Sequence, residues 1–168
     1  MALKFNIAGE LTQELLAPGT NVSVAKIALT NIQKISKCKV DLYIEKKLEG
    51  KFYILKSVEL PIGATLLHDV NFNTKSDGFG LYIKLTDGAT FTLTGSIDPA
   101  ASATVPGVNT LFLSELSIGD EIVVSSETRT VSSIASDTSL TVSAATTNTA
   151  NDTSPDCNPT ALVDVIIN

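Results

Sequence analysis

Basic residues stop abruptly partway along this chain, and that break constrains the fold more than any other feature of the sequence. Residues 1–88 hold 11 of the 12 Lys and Arg residues against nine acidic ones, a net of +2. Residues 89–160 hold Arg129 alone against eight acidic residues, a net of −7. That middle stretch has 26 Ser or Thr among 72 residues and only two aromatics, Phe91 and Phe112. The last eight residues return to an apolar style. A chain of 168 residues has room for one domain or two small ones, and two compositional styles predict two modules.

The residue pattern is β throughout. Val40, Leu42 and Ile44 alternate with Asp41, Tyr43 and Glu45, the period-2 mark of a half-buried strand. Lys51 to Val58 reads as its hairpin partner across Lys46-Lys47-Leu48-Glu49-Gly50. Val22, Val24, Ile27 and Leu29 form an earlier run in which Lys26 breaks the alternation, as a bulge would. Leu60-Pro61-Ile62-Gly63 opens a strand over Thr65 to Phe72, and Asp77-Gly78 and Asp87-Gly88 bracket Leu81 to Leu85. Gly78, Gly80 and Gly88 read as turn glycines. In the middle stretch, short strands are predicted at Phe91–Leu93, Glu121–Val124, Thr128–Ile134 and Leu140–Val142. One helical turn is predicted near Leu113 and Leu116, which stand at i and i+3.

Ala161 to Ile167 is an apolar strand that needs a sheet to pair with. It is expected to complete the N-terminal sandwich, most simply beside Leu81–Leu85. The fold class read from these patterns is all-β: a β-sandwich of jelly-roll or immunoglobulin-like type, with five or six strands. A small β-barrel-like domain is inserted before the last strand. The expected boundaries are 1–88 plus 161–168 for the sandwich, 89–145 for the insert, and 146–160 for a Thr-, Asn- and Pro-rich linker.

Composition narrows the chemistry. With one His and two Cys, a three-His or four-Cys metal centre is impossible. Neither the calcium-loop carboxylate spacing nor a Gly-x-Ser-x-Gly elbow occurs. His68 and Asp69 are adjacent in a strand and so face opposite sides. The acidic residues Glu115, Asp120, Glu121, Glu127 and Asp137 read as a solvated face. No catalytic residue, cofactor or metal is expected, and the chain is read as not an enzyme. A pI near 4.7 argues against a dedicated nucleic-acid binder. No N-terminal apolar stretch forms a signal peptide, and no window approaches a membrane span. A soluble protein made in a cytoplasm is expected, with no membrane partner. Cys38 and Cys157 read as free thiols, able to pair only if the fold brings their Cα atoms within about 7 Å.

The basic clusters are Lys34, Lys37 and Lys39, then Lys46, Lys47 and Lys51, with Tyr43, Phe52 and Tyr53 interleaved. Such a pattern protects strand edges, and a nucleic-acid strand is a further possible ligand. Contact with an acidic protein surface is the better functional reading. The candidate docking surface is therefore Lys46, Lys47, Lys51, Tyr43 and Tyr53.

The stretch Phe112 to Val124, with Leu113-Ser114-Glu115-Leu116-Ser117-Ile118-Gly119-Asp120-Glu121-Ile122, is followed by Glu127-Thr128-Arg129-Thr130-Val131. It resembles a small β module recurrent in virion proteins of tailed bacteriophages. Pro106 to Phe112 stands where that module carries a Gly-x-Gly-Thr-x-Phe-like segment, with Asn109 at a common Gly position. Val40–Tyr43, Phe52–Val58, Leu60–Thr65 and Val163–Ile167 resemble a short structural protein of marine phages and cyanophages. The resemblance implies a non-enzymatic virion structural protein assembled in the host cytoplasm. Its expected place is a capsid-exterior decoration or cement subunit, or another accessory subunit. The alternative is a neck, tail or baseplate accessory protein with an adhesion role toward a host surface or glycan. Its implied partners are major capsid or neck and tail proteins, together with other copies of itself in a symmetric cluster. The Lys-bearing sandwich is expected to dock and the acidic insert to face solvent.

Overall fold

The computed structural model describes residues 2–168. Seven strands precede the compositional break: β1 (Leu3–Ala8), β2 (Gln13–Leu16), β3 (Ser23–Asn31), β4 (Cys38–Lys46), β5 (Gly50–Leu60), β6 (Thr65–Asn73) and β7 (Gly80–Thr86). Seven short strands and one helical turn follow: β8 (Phe91–Thr92), β9 (Ser96–Ile97), β10 (Thr104–Val108), α1 (Phe112–Glu115), β11 (Glu121–Val124), β12 (Glu127–Ser136), β13 (Ser139–Val142) and β14 (Asp156–Asn158). The chain ends in β15 (Leu162–Ile167).

Two compact units result. The first comprises the residues up to Gln33, Lys37–Asp87 and Ala161–Asn168; the second comprises Lys34–Ser36 and Gly88–Thr160. Lys34 thus belongs to the second unit and Asp164 to the first. The first unit then holds ten acidic and ten basic residues. It is neutral rather than slightly basic, and the second unit carries the whole net charge of −6.

The first unit is an antiparallel sandwich of two four-stranded sheets, ordered β1-β15-β3-β6 and β2-β7-β4-β5. Alternation decides which residues meet between them. Ile27, Leu29, Val163 and Val165 from one sheet, and Leu42, Leu81, Ile83 and Leu85 from the other, are fully buried in one core. The terminal strand does not lie beside Leu81–Leu85 as expected. It sits between β1 and β3 in the opposite sheet, with Val165 facing Phe5 on one side and Leu29 on the other. Both its neighbours are antiparallel, and a central position pairs both of its backbone edges. Strands β1 and β2 raise the sandwich to eight. The alternation break at Lys26 is a register shift against β6.

Gly80 is not a turn glycine. It lies in β7, where a Cβ would run into the ring of Tyr82 and the side chain of Pro18. Its missing side chain leaves room for the Tyr82 ring, which matters for the face described below.

The second unit is one seven-stranded antiparallel sheet, ordered β8-β14-β11-β12-β13-β10-β9. It is not a closed barrel, because its two-residue edge strands β8 and β9 do not pair with each other. Two register shifts between β12 and β13 mark irregular pairing in the long β12. Its separate core holds Ile97, Val105, Phe112, Leu116, Ile122 and Cys157, all fully buried. Residues 146–160 are not a linker: β14 lies between β8 and β11, with Cys157 opposite both Phe91 and Ile122. The helical turn buries Phe112 and Leu116, at i and i+4, while Leu113 is half exposed. Asn109 adopts φ +55°, a left-handed conformation that Asn tolerates well.

Candidate docking surface

The outward face of β2-β7-β4-β5 gathers the chain's tyrosines. In β4, Val40 and Leu42 point into the core, so Asp41, Tyr43 and Glu45 point out. The register then sets Glu14, Tyr82, Tyr43 and Tyr53 side by side across all four strands. The Tyr43 ring stacks on Tyr82 at 5.6 Å and meets Tyr53 at 5.4 Å. Direct cross-strand neighbours of this kind interact strongly.

Lysines roof the row. Lys51 Nζ lies 4.5 Å from the Tyr43 ring centre and donates to the Tyr43 hydroxyl at 3.3 Å. That hydrogen bond raises the Lys51 pKa above its ordinary value. Lys56 Nζ lies 4.4 Å above the Tyr53 ring and donates to Asp41 Oδ2 at 2.6 Å. At the other end Tyr82 donates to Glu14 at 2.9 Å, and burial together with Glu14 pushes the Tyr82 phenol up to about 12. Each cation is attracted to the electron-rich face of the ring beneath it.

The five residues expected from sequence divide. Lys51, Tyr43 and Tyr53 come together in this row. Tyr43, however, is only 2% exposed and lies beneath its neighbours, so the exposed part of the row is Tyr53, 47% exposed, with Lys51 and Lys56. Lys46 and Lys47 sit at the β4–β5 hairpin. There Lys46 pairs with Glu49 and lies 5.4 Å over the Phe79 ring, beside a T-shaped Phe52–Phe79 contact. The apex residue Leu48 is 95% exposed. Lys56, Glu14 and Asp41 are not marked out by the sequence. Tyr82 and Lys84 alternate with buried Leu81, Ile83 and Leu85, which signals an outward face, but only the register brings Tyr82 to Tyr43.

The carboxylates of the second unit do not form a solvated face. Most accept internal hydrogen bonds. Glu115, 8% exposed, accepts from the Thr94 backbone N–H and hydroxyl. Fully buried Asp120 accepts from the Ser117 and Thr160 N–H groups at 2.7 and 2.9 Å. Asp137 accepts from Leu113, Asp152 from Ser125 and Ser154, and Asp156 from the Thr92 hydroxyl. Glu127 accepts from the Thr147 N–H and hydroxyl and the Asn148 N–H, and pairs with Arg129. The Thr147 hydroxyl first, then these N–H groups and Arg129, hold its carboxyl down at about 2. The unit is acidic because its Ser- and Thr-rich loops need acceptors for their donors.

The remaining candidates separate. His68 lies on the inner side of β6 with Leu66 and Val70, while exposed Asp69 faces Lys26 at 3.5 Å. Cys38 and Cys157 are free and buried, one in each unit, and burial pushes their thiols up to about 11 and about 12. Among the described residues no cluster of three His, Cys, Asp or Glu side chains is placed to hold a metal ion. No helix there is long and apolar enough to cross a membrane.

Fold and face together define a nearly all-β, two-unit protein with a tyrosine–lysine surface on one sheet. No family model and no curated protein matches the chain. Among solved structures it is similar to three of infectious bursal disease virus, each at a TM-score of 0.27. For the Gx strain the identity is 9%, covering 100% of this chain and 32% of that one. For the T13 viral particle it is 9%, over 99% and 38%. For the VP2 subviral particle it is 10%, over 99% and 41%. The chain thus spans about a third to two fifths of the length of those chains.

Proposed function

We propose that this protein is a non-enzymatic virion structural subunit, and specifically a capsid-exterior decoration or cement subunit of a tailed phage. It docks through the tyrosine–lysine face of β2-β7-β4-β5. The observation that carries this reading is the row Tyr82–Tyr43–Tyr53 with Lys51 and Lys56 fixed above its rings. A face of immobilised aromatics and cations loses little side-chain entropy when a partner covers it. Its partner is an acidic surface on a major capsid protein or another virion protein.

The test is strip-and-refill. Particles depleted of the chain are incubated with purified protein and sedimented. The wild-type chain is expected to co-sediment and Lys51→Glu/Lys56→Glu to lose binding. A symmetry-resolved reconstruction then counts copies on the shell. Absence of the chain from purified particles, or undiminished binding by the double variant, overturns the proposal.

A second reading is adhesion to a host-surface glycan by a neck, tail or baseplate accessory protein. The exposed Tyr53 ring favours it, since sugars stack on such rings. Glycan-array binding that Tyr53→Ser abolishes would support it over particle docking.

A further inference from the structure

The opposite face of the sandwich carries a different pattern. On the outside of β1-β15-β3-β6 the register aligns Lys4, Ile166, Ala28 and Leu67 in one row across all four strands. Leu67 is 62% exposed and Ile166 37%. The neighbouring row is polar and closed on itself: Asn6 donates to Asp164 at 2.8 Å, and the hydroxyls of Thr30 and Thr65 are 2.9 Å apart. At the β1–β15 end an open groove of about 380 Å³ is lined by Lys4, Asn6, Asp164 and Ile166 among others. At the β6 end Leu67 stands out, and Asp69 follows two residues along the same strand face.

Knob and groove therefore occupy opposite ends of one row. A two-fold axis running along the strands, midway between β15 and β3, exchanges those ends. It sets Leu67 of each copy into the groove of the other and Ile166 over the partner's small Ala28. It brings Asp69 of each copy, which lies 3.5 Å from Lys26 of its own chain, toward the other's Lys4. We infer that a second copy of this chain covers this face, in an isologous pair built on the Leu67 knob and the Lys4–Ile166 groove. The pair leaves the tyrosine–lysine face free for the shell. Four strands about 4.8 Å apart present a face of roughly 400 Å² per copy, about 800 Å² in total, less than the about 1,000 Å² that a stable specific interface clears. Pairing is therefore weak in free solution.

Sedimentation velocity and native mass spectrometry of the full chain, up to about 500 µM, test it. The wild-type chain is expected to dimerise. Leu67→Glu and Lys4→Glu are each expected to raise the dissociation constant at least about tenfold. Leu67→Ala, with circular dichroism on every variant, separates loss of pairing from loss of fold. Lys51→Glu/Lys56→Glu is expected to leave the dimer unchanged, so a failed docking face and a failed pairing face give different results. A wild-type monomer at about 500 µM, or a Leu67→Glu or Lys4→Glu dimer as tight as wild type, overturns the inference.

Discussion

Asp120 offers a sharp test of how the second unit holds together. It is fully buried, and its two carboxylate oxygens accept from Ser117 and Thr160, tying the turn before β11 to the segment that leaves the unit. A hydrogen bond to a charged acceptor contributes about 1.5–3 kcal/mol net, and its loss strands a buried N–H. Asp120→Ala removes two, so it should cost about 3–6 kcal/mol. The unit spans Lys34–Ser36 and Gly88–Thr160, for which total stability is about 4–11 kcal/mol at roughly 0.05–0.15 kcal/mol per residue. The substitution should leave the unit marginal or unfolded. Asp120→Asn keeps one acceptor and should cost roughly half as much. The readout separates the units. The chain has no Trp, and Tyr43, Tyr53 and Tyr82 all lie in the sandwich. Tyrosine fluorescence during urea unfolding therefore follows the sandwich alone, while hydrogen exchange of β11 and β12 amides follows the second unit. Exchange there should rise steeply while the tyrosine transition moves by less than about 0.5 kcal/mol. A loss below about 1 kcal/mol in the second unit, or an equal shift of the tyrosine transition, would refute the reasoning.

Glu127 makes the same unit acid-sensitive. Its carboxyl is held down at about 2 against 4.5 unperturbed, so its contribution is present above pH 4.5 and is lost as pH falls toward 2. Hydrogen exchange at Thr147 and Asn148 should accelerate over that window, and Glu127→Gln should show fast exchange at neutral pH already. Gly80→Ala should destabilise the sandwich by about 1–3 kcal/mol through overlap with Tyr82 and Pro18, read as a lower tyrosine transition midpoint. Excision is the fourth case. Asp87 Oδ1 accepts from the Ala161 N–H at 2.7 Å, so the ends of the gap are already adjacent. Replacing 88–160 with a short Gly-Ser turn, with Ile35→Ser because Ile35 packs on the core that is removed, should leave a folded sandwich. A non-cooperative tyrosine transition would contradict that.

The residues themselves explain why some features are legible in sequence. Val40-Asp41-Leu42-Tyr43 and Leu81-Tyr82-Ile83-Lys84 declare strands and their buried faces, because alternation is local. Lys26 declares its bulge for the same reason. Strand β2 is hidden, since four residues with a register shift leave too little alternation to read. Strand β14 is hidden because Asp156-Cys157-Asn158 sits among Pro, Ser and Thr, and only Phe91 and Ile122 on either side show that Cys157 is core. The tyrosine–lysine face was half legible: Lys51, Tyr43 and Tyr53 lie close in sequence, whereas Tyr82 and Glu14 reach the row only through pairing of strands far apart in the chain.

The opening contrast in charge marks the same division. By itself the sequence determined that the chain is β-rich, that it changes style near residue 88, and that its last strand belongs with the start. Those are properties of composition and period, which each segment carries alone. Only the tertiary structure decided that the last strand is central in the sheet opposite the tyrosines. It also decided that Tyr43 is roofed over, that the sandwich is neutral, and that the acidic residues of the insert hold its own loops. Each of those depends on which donor meets which acceptor across long separations, and strand order and register set that, not local pattern.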